Sequence, residues 1–89
     1  MKFLFSANPI SGVVDKEPFL DAAAKYCKEL TLDHGIFRTT GDEDREQLKE
    51  VIQSYKPDRV AAVGGDGTVL FTAIALLESG IPMGIIPLG

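Results

Sequence analysis

The segment Gly64 to Thr68, with the sequence GGDGT, has the residue types and spacing to bind a phosphate group. It follows the apolar run 59–63 and precedes a helix-prone stretch. Its glycines therefore allow a sharp turn that brings backbone N–H groups against an anion at a helix N-terminus. Asp66 would repel a phosphate unless a divalent cation lies between them or a positioning hydrogen bond is made. The segment indicates a phosphate site with magnesium nearby.

This segment differs from the two commonest phosphate-binding motifs. A P-loop would continue with Gly-Lys-Ser/Thr, and the dinucleotide fingerprint would have glycine where Leu70 stands. On local pattern alone, a tight turn from strand to helix with Asp66 facing water fits as well as a phosphate site. The choice between the two depends on which other residues lie at the same place.

Two further loops carry polar groups that suit a phosphate or a ribose. Asn8 to Gly12, with the sequence NPISG, supplies an amide, the Ser11 hydroxyl and a glycine. Thr39 to Gly41, which begins at the end of a second strand candidate, supplies further hydroxyl groups. Each loop alone has the composition of an ordinary turn or helix start. In a parallel sheet with right-handed crossovers, all three loops lie at the carboxyl edge, where ligands bind in open α/β folds.

The elements that must position these loops alternate between strand and helix. The patterns predict strands at 2–7, 34–39, 59–63 and 83–88, and helices at 16–30, from an acidic start at 42–44 to Pro57, and at 69–77. Apolar strands without alternation, separated by helices, are typical of a parallel sheet covered on both faces. We predict an α/β fold with three layers, an open and mostly parallel sheet, and βαβαβαβ order.

Length, charge and cysteine content exclude several classes of protein. The 89 residues allow one domain, and the apolar ending at 85–89 suggests a fragment of a longer protein. The net charge of −4, with nine scattered Lys and Arg, argues against a nucleic-acid partner. The single cysteine, Cys27, excludes an intrachain disulfide and suits a reducing cytoplasm. No run approaches the ~20 apolar residues of a membrane span, so we expect a soluble protein able to touch a membrane surface.

Several residues are predicted to be structural. His34 has no second metal ligand at a suitable spacing, and Cys27 lies on the apolar face of the first predicted helix. Arg38 and Arg59 flank strands and are not assigned to a site. The aromatic residues expected in the core are Phe3, Phe5, Phe19 and Phe71.

Together, these motifs resemble the catalytic domain of diacylglycerol kinases, sphingosine kinases and their bacterial lipid kinase relatives. The family motif Asn-Pro-x-Ser-Gly matches residues 8–12, and Gly-Gly-Asp-Gly-Thr matches residues 64–68. A threonine at the end of the second strand corresponds to Thr39, and Gly-Ile-Ile-Pro-Leu-Gly corresponds to residues 84–89. The resemblance spans the whole chain, and the same fold is shared with NAD kinases.

The resemblance implies transfer of the γ-phosphoryl group of ATP, with Mg²⁺, to a lipid hydroxyl of diacylglycerol or a sphingoid base. It implies that residues 1–89 are the nucleotide-binding part of the catalytic domain. The catalytic base and the lipid site would belong to a β-rich C-terminal domain absent from this chain, so no catalytic residue is assigned and the chain alone is expected to be inactive. Asp66 is expected close to the metal. The implied nucleotide-binding residues are Asn8, Ser11, Gly12, Thr39, Gly64, Gly65, Asp66, Gly67 and Thr68.

Two departures from the family pattern leave alternatives open. The family often has Asn-Glu where this chain has Leu70 and Phe71, and the chain stops before the Thr or Ser that follows Pro-Leu-Gly. An NAD kinase, which shares the GGDGT loop, and a nucleotide-binding module without catalysis remain alternatives. The Asn8 loop and the Ile-Pro-Leu-Gly ending favour a lipid kinase. We expect a cytoplasmic protein and leave open peripheral contact with the inner face of the membrane and a homodimer.

Overall fold

A parallel four-stranded sheet forms the centre of the computed structural model, which describes residues 1–8, 15–40, 43–77 and 79–87. The strands lie in the order β2-β1-β3-β4, and each neighbouring pair is parallel. The predicted α/β fold and its βαβαβαβ order are confirmed. The elements are β1 (Lys2–Ala7), α1 (Glu17–Glu29), β2 (Asp33–Arg38), α2 (Asp44–Tyr55), β3 (Arg59–Gly64), α3 (Asp66–Ala75) and β4 (Met83–Pro87).

The helices cover both faces of the sheet. The connection from β1 to β2 runs in one direction across the sheet, whereas the next two connections run in the other. Right-handed crossovers therefore place α1 on one face and α2 and α3 on the opposite face. The core beneath α1 contains Phe5, Ala7, Leu20, Cys27 and Val63. The core beneath α2 and α3 contains Leu4, Phe37, Leu48, Ile52, Val60, Ala75 and Leu76.

The structure corrects the predicted boundaries of α3. The helix begins at Asp66 and not at residue 69, because Gly65 is its extended N-cap and Thr68 turns inward, where it is buried. The helix ends at Ala75, two residues before the predicted end. There the Ser79 hydroxyl donates a hydrogen bond to the carbonyl oxygen of Leu76 at 2.7 Å and helps to terminate the helix.

The apolar residues predicted to be structural pack in or against the two cores. Cys27 is buried on the inner face of α1, Phe5 is buried on β1, and Phe3, Phe19 and Phe71 pack against the two cores. His34 is half-buried on β2, and no three His, Cys, Asp or Glu side chains of the described ranges are placed to hold a metal ion. Within the same ranges, no helix is both long and apolar enough to cross a membrane.

Candidate functional site

The strand register brings three of the predicted site residues side by side at the carboxyl edge of the sheet. Ala7, the last residue of β1, pairs with Arg38 of β2 and with the β3 residue that precedes Gly64. The residues that follow these pairs are Asn8, Thr39 and Gly64. The Thr39 N–H donates to the carbonyl oxygen of Ala7 at 3.0 Å and extends the alignment beyond β2. Adjacent strands lie about 4.8 Å apart, so Asn8 has Thr39 and Gly64 as its neighbours.

Two predicted site residues, Ser11 and Gly12, lie outside the described part of the chain, and their role stays a prediction. Asn8, which precedes them, is half-buried and already interacts within the protein. Asn8, the described residue at the start of the first loop, therefore lies at the same edge of the sheet as Thr39 and Gly64.

Gly64 makes the sharp turn that leads from β3 into α3. Its φ angle is +147°, a conformation that residues with a side chain rarely adopt. A Cβ atom at this position would lie 3.0 Å from the Thr68 hydroxyl oxygen and 3.3 Å from the Thr68 Cβ. Both the backbone conformation and the packing therefore require glycine, and the turn directs the chain immediately into the helix.

The N-terminus of α3 is open towards solvent. Gly65 is the N-cap, and no side chain in the described ranges caps the helix. The first intrahelical bond runs from the Val69 N–H to the Gly65 carbonyl oxygen at 3.1 Å. Asp66 and Gly67 are exposed, and a Cβ on Gly67 would meet no described atom within 4 Å. N–H groups in the first turn of a helix, at the positive end of its dipole and without a side-chain cap, favour an anion.

Comparison with known proteins assigns this arrangement to a family. A family model described as "Diacylglycerol kinase catalytic domain" matches residues 2–89. The chain belongs to this family. It is also 32% identical over 92 residues to an uncharacterized protein, sll0036, of Synechocystis sp., a match that covers 92% of this chain and 21% of that protein. The chain thus spans about a fifth of the length of this curated relative. The resemblance inferred from the motifs is confirmed, and it places the chain in a kinase family.

A buried pair of hydroxyl groups holds α3 on the sheet. The Thr72 hydroxyl donates to the Ser6 hydroxyl of β1 at 3.0 Å, and both residues are fully buried. Leaving one hydroxyl buried without a partner would cost about 1–3 kcal/mol. The pair therefore fixes the rotation of α3 and the position of its N-terminus. Sequence analysis missed both residues, although a polar Ser6 inside the apolar run of β1 was a usable signal.

Lys16, the N-cap of α1, is a third residue that sequence analysis missed. Only 1% of it is exposed, and its Cε lies 3.4 Å from the position that a Cβ on Gly64 would occupy. It stands four residues before Leu20 and eleven before Cys27, the two buried residues of α1. Extending the helical periodicity backwards by one turn would have placed Lys16 on the buried face.

An ion pair occupies the adjoining part of the carboxyl edge. Arg38 donates two hydrogen bonds to the Glu17 carboxylate, from Nε at 2.9 Å and from the terminal NH2 at 2.8 Å. The structure therefore gives Arg38, which was left unassigned on sequence grounds, a carboxylate partner in the same chain. The hydrogen bond from Arg38 lowers the pKa of Glu17, whereas slight burial opposes the shift.

We expect the replacement Arg38→Gln to raise the pKa of Glu17 towards its ordinary value. A lowered pKa means that the pair stabilises the fold at pH values above the ordinary pKa of a glutamate. This contribution disappears as the pH falls through the lowered value. NMR titration of the Glu17 carboxyl carbon in both proteins measures the change, and Lys28→Gln at the other end of α1 is the control. An unchanged Glu17 titration in Arg38→Gln would contradict the assigned cause.

Proposed function

We propose that this chain is the ATP-binding part of a lipid kinase that transfers the γ-phosphoryl group of ATP to a lipid hydroxyl. The main support is the uncapped N-terminus of α3 behind the Gly64 turn, in a chain of the diacylglycerol kinase catalytic family. The N–H groups of this first turn would lie along the phosphates. Asn8 and Thr39, at the ends of the two neighbouring strands, would supply further hydrogen bonds. On the resemblance, Ser11 and Gly12 would complete the set.

The donor set of this edge also fits Mg²⁺ bound together with ATP. Magnesium usually binds through one or two protein carboxylates plus substrate phosphates and water. Asp66 offers one exposed carboxylate in the first turn of α3, where the phosphates would lie. The bound ion would neutralise charge on the transferring phosphoryl group. Asp66 would hold the ion towards the phosphates. Without the ion, the Asp66 carboxylate and the phosphates would repel each other.

Activation of the acceptor hydroxyl and binding of the lipid would belong to a further domain of a longer protein. Phosphoryl transfer depends mainly on positioning and charge neutralisation, and this chain supplies the residues for the nucleotide side of the reaction. The base that activates the acceptor hydroxyl and the lipid-binding surface would lie in a β-rich C-terminal domain. We therefore expect no transfer by residues 1–89 alone. The complete kinase would act in the cytoplasm, at the inner face of the membrane that holds its lipid.

Parallel transfer assays test the proposed function. The complete kinase is incubated with labelled ATP and either diacylglycerol, a sphingoid base or NAD, with Mg²⁺ present or chelated. We expect label in one of the lipids, and we expect chelation to abolish it. Labelled NADP with unlabelled lipids would instead identify an NAD kinase. Binding of ATP without transfer to any acceptor would indicate a module without catalysis.

A further inference from the structure

We propose that Lys16 is a phosphate-binding residue of this site and that its ammonium group contacts the polyphosphate of the nucleotide. The inference rests on the proposed function, because it requires a nucleotide at the carboxyl edge of the sheet. Lys16 lies outside the two motifs, residues 8–12 and 64–68, that carry the family resemblance. It would therefore add a positive charge to the site that these motifs do not contain.

The position of the Lys16 side chain is the first support. The residue is the N-cap of α1, and its side chain reaches the Gly64 turn of β3, where its Cε would lie 3.4 Å from a Cβ on Gly64. The ammonium group is one bond further along the side chain. Since α3 begins two residues after Gly64, the charge of Lys16 lies close to the uncapped N-terminus of that helix.

The electrostatics of this position are the second support. Burying an ammonium group costs desolvation free energy unless the group is paired, and Lys16, which is 1% exposed, already interacts within the protein. The N-terminus of α3 also carries a positive partial charge, and the two therefore repel each other. An anion at the Gly64 turn would be attracted by both. The exposed carboxylate of Asp66 belongs to the same turn and would instead hold the magnesium ion.

The hydrogen-bonding capacity of lysine is the third support. Lys16 already interacts within the protein, and no buried side-chain nitrogen or oxygen of the described residues lacks a hydrogen-bond partner. An ammonium group has three donors. Lys16 can therefore keep an acceptor in the protein and donate to a phosphate oxygen at the same time. In this way it would link the start of α1 to the bound phosphates.

The test separates the charge of Lys16 from its packing. Lys16→Met keeps an unbranched side chain against Gly64 and removes the ammonium group, and Lys25→Met on the exposed face of α1 is the matched control. ATP affinity of the complete kinase is measured by calorimetry, and adenosine binding by ligand-observed NMR. We expect Lys16→Met to weaken ATP binding about 10- to 100-fold, as for a lost hydrogen bond to a charged group. Adenosine binding should change less than about twofold.

The possible results distinguish this inference from the proposed function. Equal ATP affinity in Lys16→Met and the unmodified protein, or an equal loss for ATP and adenosine, would overturn the role of Lys16 and leave the proposed function standing. An unmodified protein that does not bind ATP would overturn both. If Lys16→Met does not fold, the unmodified protein is labelled with ¹³C-lysine. ATP, but not adenosine, should then shift the Lys16 Cε resonance, and an unshifted resonance would overturn the inference.

Discussion

Replacing Asp66 by Ala is expected to reduce phosphoryl transfer by the complete kinase at least about 10²- to 10³-fold, the size typical for loss of one charge-stabilising group. Asp66 is exposed in the first turn of α3. If its carboxylate holds Mg²⁺ against the phosphates, its loss leaves the charge on the transferring group poorly neutralised. Removing an acid from a first helical turn should lower the stability by only about 0.3–1 kcal/mol. Initial rates and denaturant unfolding measure the two effects.

Two further variants make the role of Asp66 specific. Asp66→Asn keeps the shape of the side chain and should lose activity as Asp66→Ala does, with partial recovery at high Mg²⁺ concentration. Glu46→Gln removes an exposed acid from the first turn of α2 and should leave the rate unchanged. Transfer at the unmodified rate by Asp66→Ala would refute the metal-linked role.

The replacement Gly64→Ala is expected to destabilise the fold by about 2–4 kcal/mol and to abolish ATP binding. A side chain at φ +147° is strained, typically by about 1–3 kcal/mol. The new Cβ would also lie 3.0 Å from the Thr68 hydroxyl oxygen, which forces the first turn of α3 to move. The N–H groups proposed to bind phosphate would move with it. Denaturant unfolding gives the stability, and calorimetry gives the affinity for ATP.

Comparison with a second glycine tests this explanation. Gly84 of β4 is exposed, has no positive φ, and would present a Cβ with no described atom within 4 Å. Gly84→Ala should therefore change the stability by less than about 0.5 kcal/mol. In Gly64→Ala, the additional change Thr68→Ala should relieve the contact with the hydroxyl oxygen and leave both the contact with the Cβ of residue 68 and the backbone strain. A Gly64→Ala protein as stable as the unmodified one would contradict the geometry of the turn.

Local pattern was sufficient for most of the secondary structure. Strand β1 was predicted at its observed bounds, and α1 within one residue at each end. The apolar run that forms β3 and the end of α2 before Pro57 depend on residues that are neighbours in the sequence. Both could therefore be predicted from the sequence. The Asp15 carboxylate, two residues before the start of α1, accepts a hydrogen bond from the Glu17 N–H at 3.0 Å. Helix and strand periodicity are local properties, which is why the alternating α/β order could be predicted.

The start of α3 shows where local pattern fails. Three glycines in five residues argue against a helix, because glycine loses most conformational freedom on folding. In the structure, Asp66 to Thr68 nevertheless form the first turn of the helix. Packing of Thr68 against Gly64, and the hydrogen bond from Thr72 to Ser6 one turn later, support this turn. Contacts of α3 with β1 and β3 therefore outweigh the low helix propensity of the glycines.

The sequence by itself determined the family and the segments of the candidate site. Its alternating strands and helices also predicted that the strand-to-helix loops lie at one edge of the sheet. It did not determine which loops become neighbours, since the order β2-β1-β3-β4 depends on long-range strand pairing. Tertiary structure alone placed Asn8 between Thr39 and Gly64, paired Arg38 with Glu17, and buried Lys16 beside the Gly64 turn. These arrangements bring together residues that are far apart in the chain. They are stabilised by burial and charge pairing, which a local sequence pattern does not show.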